Sequence, residues 1–160
     1  MSGLIENPLV HSFVLSLLPI SELRGGIPYA VANGIHPLTA YIVCVISNIL
    51  VIPLTFIFLE TVHKVFYRVA LYQKLFDKFI ARTKKKAQKN VDRWGYWGVM
   101  MFVAIPLPVT GAYTGTVAAW LLQLDKKRSY GYLALGVVLA GVIVSIATLT
   151  GIGILKLFTK

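Results

Sequence analysis

Charge is scarce in this chain: of 160 residues only 14% are Asp, Glu, Lys or Arg, six are acidic, and 57% are hydrophobic. An ordinary globular domain carries about a quarter charged residues, so a water-soluble fold is excluded at the outset. Cysteine is nearly absent as well. Cys44 stands alone inside an apolar stretch, which excludes a disulfide framework and any thiol pair for redox or zinc chemistry. The three histidines, His11, His36 and His63, share no ligand spacing. No paired carboxylates, nucleophile elbow or phosphate loop occurs, so no enzyme activity, metal or cofactor is expected.

What fills the space is long apolar sequence. Three runs are free of charge: Leu38 to Leu59 (22 residues), Trp94 to Leu124 (31) and Ser129 to Leu155 (27). Each reaches the roughly 20 residues that cross a hydrocarbon core. The net charge of +10 is concentrated, because ten of the sixteen Lys and Arg residues lie between Lys64 and Arg93. A basic stretch between spans reads as a cytoplasmic loop that also attracts anionic lipid headgroups, and nucleic acid is not an expected partner. The apolar run from Pro8 to Ile20 has the length of a signal peptide, but Glu6 precedes it and no small-residue cleavage site follows. It is expected to remain in the mature protein.

Two of the apolar segments are broken at mid-depth. Residues 8–34 are interrupted by Pro19-Ile-Ser-Glu-Leu-Arg-Gly-Gly-Ile-Pro28, and residues 94–124 by Pro106-Leu-Pro-Val-Thr-Gly111. The arms on either side are half-spans, and broken backbone survives in a membrane only where protein or a watery cavity covers it. Both segments therefore read as re-entrant hairpins. Each precedes one span, residues 37–60 with a kink expected at Pro53, and residues 129–156.

The expected fold is an all-α integral membrane protein of two inverted repeats. Each repeat is a re-entrant helical hairpin followed by one transmembrane helix. Between them, residues 62–93 show apolar positions at helical spacing opposite Lys64, Arg68, Lys74, Lys78 and Arg82, which reads as a basic amphipathic interfacial helix. The hairpins put that linker and the cluster Lys126-Lys127-Arg128 on one side, as the positive-inside rule requires; four full crossings would separate them. The chain is then a multi-pass protein of the cell membrane with a cytoplasmic linker and extracytoplasmic termini.

Glu22 and Arg24 stand where a charge costs roughly 2.5–3.5 kcal/mol on the insertion scale. Two readings fit them. They lock the hairpin tip, or they form a substrate or proton site facing the protein interior. Pro28 can open the second arm of the first hairpin and Thr110 can cap the second arm of the other. Two helix N-termini would then point to mid-membrane and favour an anion beside Arg24. The candidate site comprises Glu22, Arg24, Gly25, Gly26, Pro28, Pro106, Pro108, Thr110, Gly111 and Tyr113. Asn48 is expected to bond across helices, and Gly136, Ala140, Gly141 and Ser145 to permit close packing.

The segments Ser21-Glu-Leu-Arg-Gly-Gly-Ile-Pro28 and Phe102-Val-Ala-Ile-Pro-Leu-Pro-Val-Thr-Gly-Ala-Tyr-Thr-Gly115 resemble the two signature segments of the small multi-drug export proteins. That family in turn resembles the DedA, or VTT-domain, superfamily, and the likeness implies opposed hairpins and movement of polyprenyl phosphates or phospholipids. The superfamily pattern has an acid in the first hairpin, matched by Glu22, and arginine in the second. Here the arginine is Arg24, on the first, and residues 94–124 carry no charge.

The resulting expectation is a proton-coupled transporter or flippase for an amphiphile with an anionic headgroup, such as a polyprenyl phosphate or phospholipid. Glu22 would handle the proton and Arg24 the anion. A small multidrug exporter exchanging protons for cationic drugs, and a membrane-organising protein without substrate, are the alternatives. Membrane lipids and a second copy in a homodimer are the expected partners.

Overall fold

A computed structural model describes residues 7–62, 77–78, 81, 94–107 and 110–158. Among the described residues the chain is helical, with no strand. The first helix, α1 (Pro8–Leu17), is capped by the Asn7 side chain, which accepts from the Leu9 N–H at 2.9 Å, with Pro8 at its first position. It stops at Leu18 because Pro19 forces the preceding residue out of the helical region. After the break comes α2 (Glu22–Ala32). Its end is a left-handed C-cap: Gly34 has φ +81° and Ile35 N–H bonds back to the Ala30 carbonyl at 3.0 Å.

A long helix follows. α3 (Pro37–Ile57) starts on His36, whose Nδ1 accepts from the Leu38 N–H at 3.3 Å, and it runs through Pro53 before ending in a π-helical turn, Phe58–Val62. In the second half α4 (Tyr96–Ala104) stops one residue before Pro106, for the reason that α1 stops before Pro19. α5 (Ala112–Leu121) ends on the same C-cap as α2, with Gln123 at φ +53° and the Leu124 N–H on the Ala119 carbonyl at 3.0 Å. Last comes α6 (Lys126–Phe158), which Asp125 caps through the Arg128 N–H at 2.8 Å. The basic cluster is therefore the first turn of α6, which starts three residues ahead of the span expected from Ser129. Positive side chains there oppose the helix dipole; Asp125 and an ion pair between Lys126 and Glu60 offset them.

The two arms of each hairpin fold back on one another. In the first, His11 pairs with Tyr29 at 3.0 Å, and a Cβ on Gly26 would lie 2.8 Å from the Ser12 carbonyl oxygen. In the second, Gly115 faces Val103, and the Asp125 N–H donates to the Tyr96 hydroxyl at 3.2 Å. Arms of about ten residues are only about 15 Å long, half of a hydrocarbon core. Two stretches, Pro37–Thr61 and Lys126–Gly151, are long and apolar enough to cross a membrane. They run in opposite directions, since Glu60 meets Lys126 whereas Tyr41 donates to the Val138 carbonyl at 3.2 Å.

The core draws on every helix from α2 onward, with Leu23, Ile27, Val51, Ile52, Val103, Leu133 and Val137 buried together. Close approach is set by small residues. A Cβ on Gly136 would sit 2.7 Å from the Met100 carbonyl oxygen, and one on Gly141 2.7 Å from Val45. On the outside, Leu38, Ile42, Ile46, Leu50 and Leu54 form an exposed apolar row along α3. Ile143, Ile146 and Leu149 do the same on α6. A water-soluble protein rarely exposes such rows; a membrane protein needs them. The amphipathic linker expected over 62–93 lies, apart from Val62, Asp77, Lys78 and Ala81, outside the described residues.

Candidate functional site

The two breaks meet. Arg24, in the first turns of α2, sends Nη1 to the Leu107 carbonyl at 2.6 Å and Nη2 to the Thr110 carbonyl at 3.2 Å, both in the break of the second hairpin. Residues two apart do not share a helix face, so Glu22 and Arg24 were free to take different partners. Glu22 turns to the N-terminus of α5, where its Oε1 accepts from the Tyr113 N–H in a long 3.4 Å bond. The carboxylate acts as a cap supplied from the other hairpin, since Gly111 at the N-cap position has no side chain to do so. The Tyr113 hydroxyl completes the junction by donating to the Leu17 carbonyl at the end of α1.

The backbone is shaped for this contact. Glu22 has φ +46°, a left-handed conformation that costs a non-glycine residue about 1–2 kcal/mol, and its side chain is only 6% exposed. Strain of that kind persists only where the surroundings over-determine it. Opposite, a Cβ on Gly111 would fall 2.6 Å from the Glu22 carboxyl carbon, so glycine is required for the carboxylate to reach α5.

Several expected roles change. Pro28 does not open the second arm: it lies inside α2, six residues after the start at Glu22, because Ser21 and Glu22 already turn the chain. Lacking an N–H, Pro28 leaves the Arg24 carbonyl without its usual helical donor. Thr110 does not cap α5 either. Its hydroxyl is turned back into the break, accepting from the Leu107 N–H at 3.0 Å and donating to the Ile105 carbonyl at 2.7 Å, so it braces the non-helical segment. Gly25 packs on Ser21, and Gly26 lets α1 and α3 approach α2, with the Cys44 sulfur 3.0 Å from where its Cβ would be. Pro106 borders the junction, and Pro108 lies outside the described residues.

At the junction is a small, partly open cavity of about 10 Å³ lined by Glu22, Arg24, Asn48 and Thr110 among others, about the size of one water. Asn48 donates to the Ser16 carbonyl at 2.9 Å, as expected of a residue bonding across helices. Its neighbours were missed. Ser47 donates to the Phe13 carbonyl at 2.8 Å and Cys44 contacts the Ser12 carbonyl at 3.9 Å, so one face of α3 binds the backbone of α1. The i, i+3, i+4 spacing of Cys44, Ser47 and Asn48 was the available signal.

A family model described as "Putative small multi-drug export protein" matches residues 22–143. The chain belongs to that family. The match begins at Glu22 itself, just after the first break, and takes in the second break together with Glu22, Arg24, Thr110, Gly111 and Tyr113 of the junction. No curated protein and no solved structure matches the chain.

Proposed function

We propose that this small multi-drug export family member is a membrane transporter for amphiphiles with an anionic headgroup, a polyprenyl phosphate or phospholipid being the chemistry in view. The observation that carries the reading is Arg24. Among the described residues no carboxylate lies within ion-pair distance of it, Glu22 acting on it only at longer range, although it stands where a charge is expensive. Within the described residues two of its five N–H donors are engaged, and three are open to a ligand there. Glu22 holds the N-terminus of α5, and a proton on its carboxyl would weaken that hold and release the helix end for an anion. Proton uptake and anion binding would then be linked at one junction. The protein is proposed to be a carrier, not an enzyme.

The membrane arrangement belongs to the same proposal. Glu60, Tyr96, Asp125 and Lys126 meet at one end of the molecule, while Tyr41 and Val138 meet farther along the long helices. This supports two re-entrant hairpins entering from opposite sides in inverted repeats, with the linker and the start of α6 cytoplasmic. The exposed apolar rows of α3 and α6 would face lipid or a second copy in a homodimer.

The family description favours a second reading, export of cationic drugs, in which the buried Glu22 carboxylate receives the cation. Binding to the purified, reconstituted protein separates the two. The anion reading expects phosphate-headed lipids to be preferred over ethidium or tetraphenylphosphonium, and Arg24→Ala to weaken that preference. Tight, proton-competitive cation binding that vanishes in Glu22→Gln and survives in Arg24→Ala would replace it with the drug exporter.

A further inference from the structure

A groove of about 510 Å³ runs along the molecule from Arg24 and Pro106 at the junction, past Pro28, to Ala32 at the end of α2, with Ala147 and Gly151 of α6 as its opposite wall. From position 24 to position 32 a helix rises about 12 Å, so the groove connects the mid-depth junction with the end at which the first hairpin opens. On the other side of Arg24 lie Val103 and Val137 of the buried core, which line the small cavity at the junction. Apart from Arg24 and one threonine, whose hydroxyl already donates to the carbonyl four residues back, the wall is apolar.

We infer that this groove is the one-sided entry path for a lipid, taking an anionic headgroup down to Arg24 while the chain lies between α2 and α6. The inference rests on the anion reading above and adds the route, the side and the need for a tail. Charge complementarity selects the headgroup: among the described residues the only full charge on the wall is the guanidinium, and it has no acidic partner within ion-pair distance there. The wall selects a lipid over a free ion, because a small hydrated anion would gain nothing from Pro28, Ala32 and Ala147 and would have to shed its water beside them. By the positive-inside rule the open end is the extracytoplasmic one.

Photolabelling the full-length protein in phosphatidylcholine vesicles tests the route. The probes are a phosphatidic acid and a phosphatidylcholine carrying the same diazirine in the acyl chain. Phosphatidic acid should label the peptide holding residues 143–151 in preference to phosphatidylcholine. Arg24→Gln should reduce its labelling roughly tenfold, the worth of one charged hydrogen-bonded contact, and leave phosphatidylcholine labelling unchanged. Ala147→Trp, an exposed position where folding is not at stake, should block both probes there. Equal labelling by the two lipids would make the groove part of the general lipid annulus and overturn the inference. Displacement of the label by inorganic phosphate alone would make it a site for free anions and overturn the lipid assignment. Selective labelling in a protein that fails to transport would discard the transport reading and leave the groove standing. Transport unaffected by Ala147→Trp would do the reverse.

Discussion

At position 22 a glutamine keeps the volume and the acceptor oxygen that meets the Tyr113 N–H, whereas an alanine leaves the start of α5 uncapped in a buried place. Glu22→Gln is therefore expected to purify folded with little change in melting temperature and to lose transport. Glu22→Ala should lose about 1–3 kcal/mol of stability as well. Equal destabilisation by both, with full activity in the surviving fraction, would reduce Glu22 to a lock. Gly111→Ala acts on the same contact from the other side. A methyl group 2.6 Å from the carboxyl carbon forces Glu22 away, so this variant should resemble Glu22→Ala in stability although it removes no polar group. Thermal unfolding in detergent of the three variants side by side checks the set. Thr110→Val should also lose about 1–3 kcal/mol, because the Leu107 N–H and the Ile105 carbonyl both lose a partner in the break.

Each hairpin hands over to its long helix by the same device, a left-handed C-cap followed by a capped first turn. The first uses Gly34, which adopts φ +81° freely; the second uses Gln123 at φ +53°, which does not. Gln123→Gly is accordingly expected to stabilise the protein by about 0.5–1 kcal/mol, the relief of the left-handed strain less the added freedom of the unfolded chain. An unchanged or lower melting temperature would show that the Gln123 side chain contributes something else. Where helices touch, the sign reverses. Gly26→Ala would place a methyl group 2.8 Å from the Ser12 carbonyl and 3.0 Å from the Cys44 sulfur, and should destabilise by about 1–3 kcal/mol through overpacking.

For the whole molecule, the proposed arrangement of opposed hairpins would fix which ends share a side of the membrane. Single-cysteine labelling in a Cys44→Ser background is expected to report Ser2, Gly34 and Lys160 outside and Lys85 and Lys127 in the cytoplasm. The background is a mild change, since the serine hydroxyl can still face the Ser12 carbonyl that the thiol meets. Labelling of positions 85 and 127 from opposite sides would reject the hairpins in favour of four crossings.

Much of the helical layout was already legible in the chain, because prolines and charge gaps act locally. Pro19 and Pro106 end α1 and α4 by disfavouring the helical conformation in the residue before them, and a long charge-free run satisfies its backbone in lipid most readily as a helix. The sequence also marked Glu22 and Arg24 as anomalies, since their cost depends on apolar neighbours that can be counted along the chain. Their partners could not be read that way. Arg24 bonds carbonyls more than eighty residues distant, and Glu22 caps a helix of the other hairpin, so the arginine that seemed to sit on the wrong hairpin reaches the second break after all. Backbone acceptors carry no sequence signature, and neither does the left-handed turn at Glu22 that aims the carboxylate. Pro28 and Thr110 were misplaced for the same reason. A proline or a threonine near a break is compatible with several local turns, and only the packing of the second tip against the first selects among them.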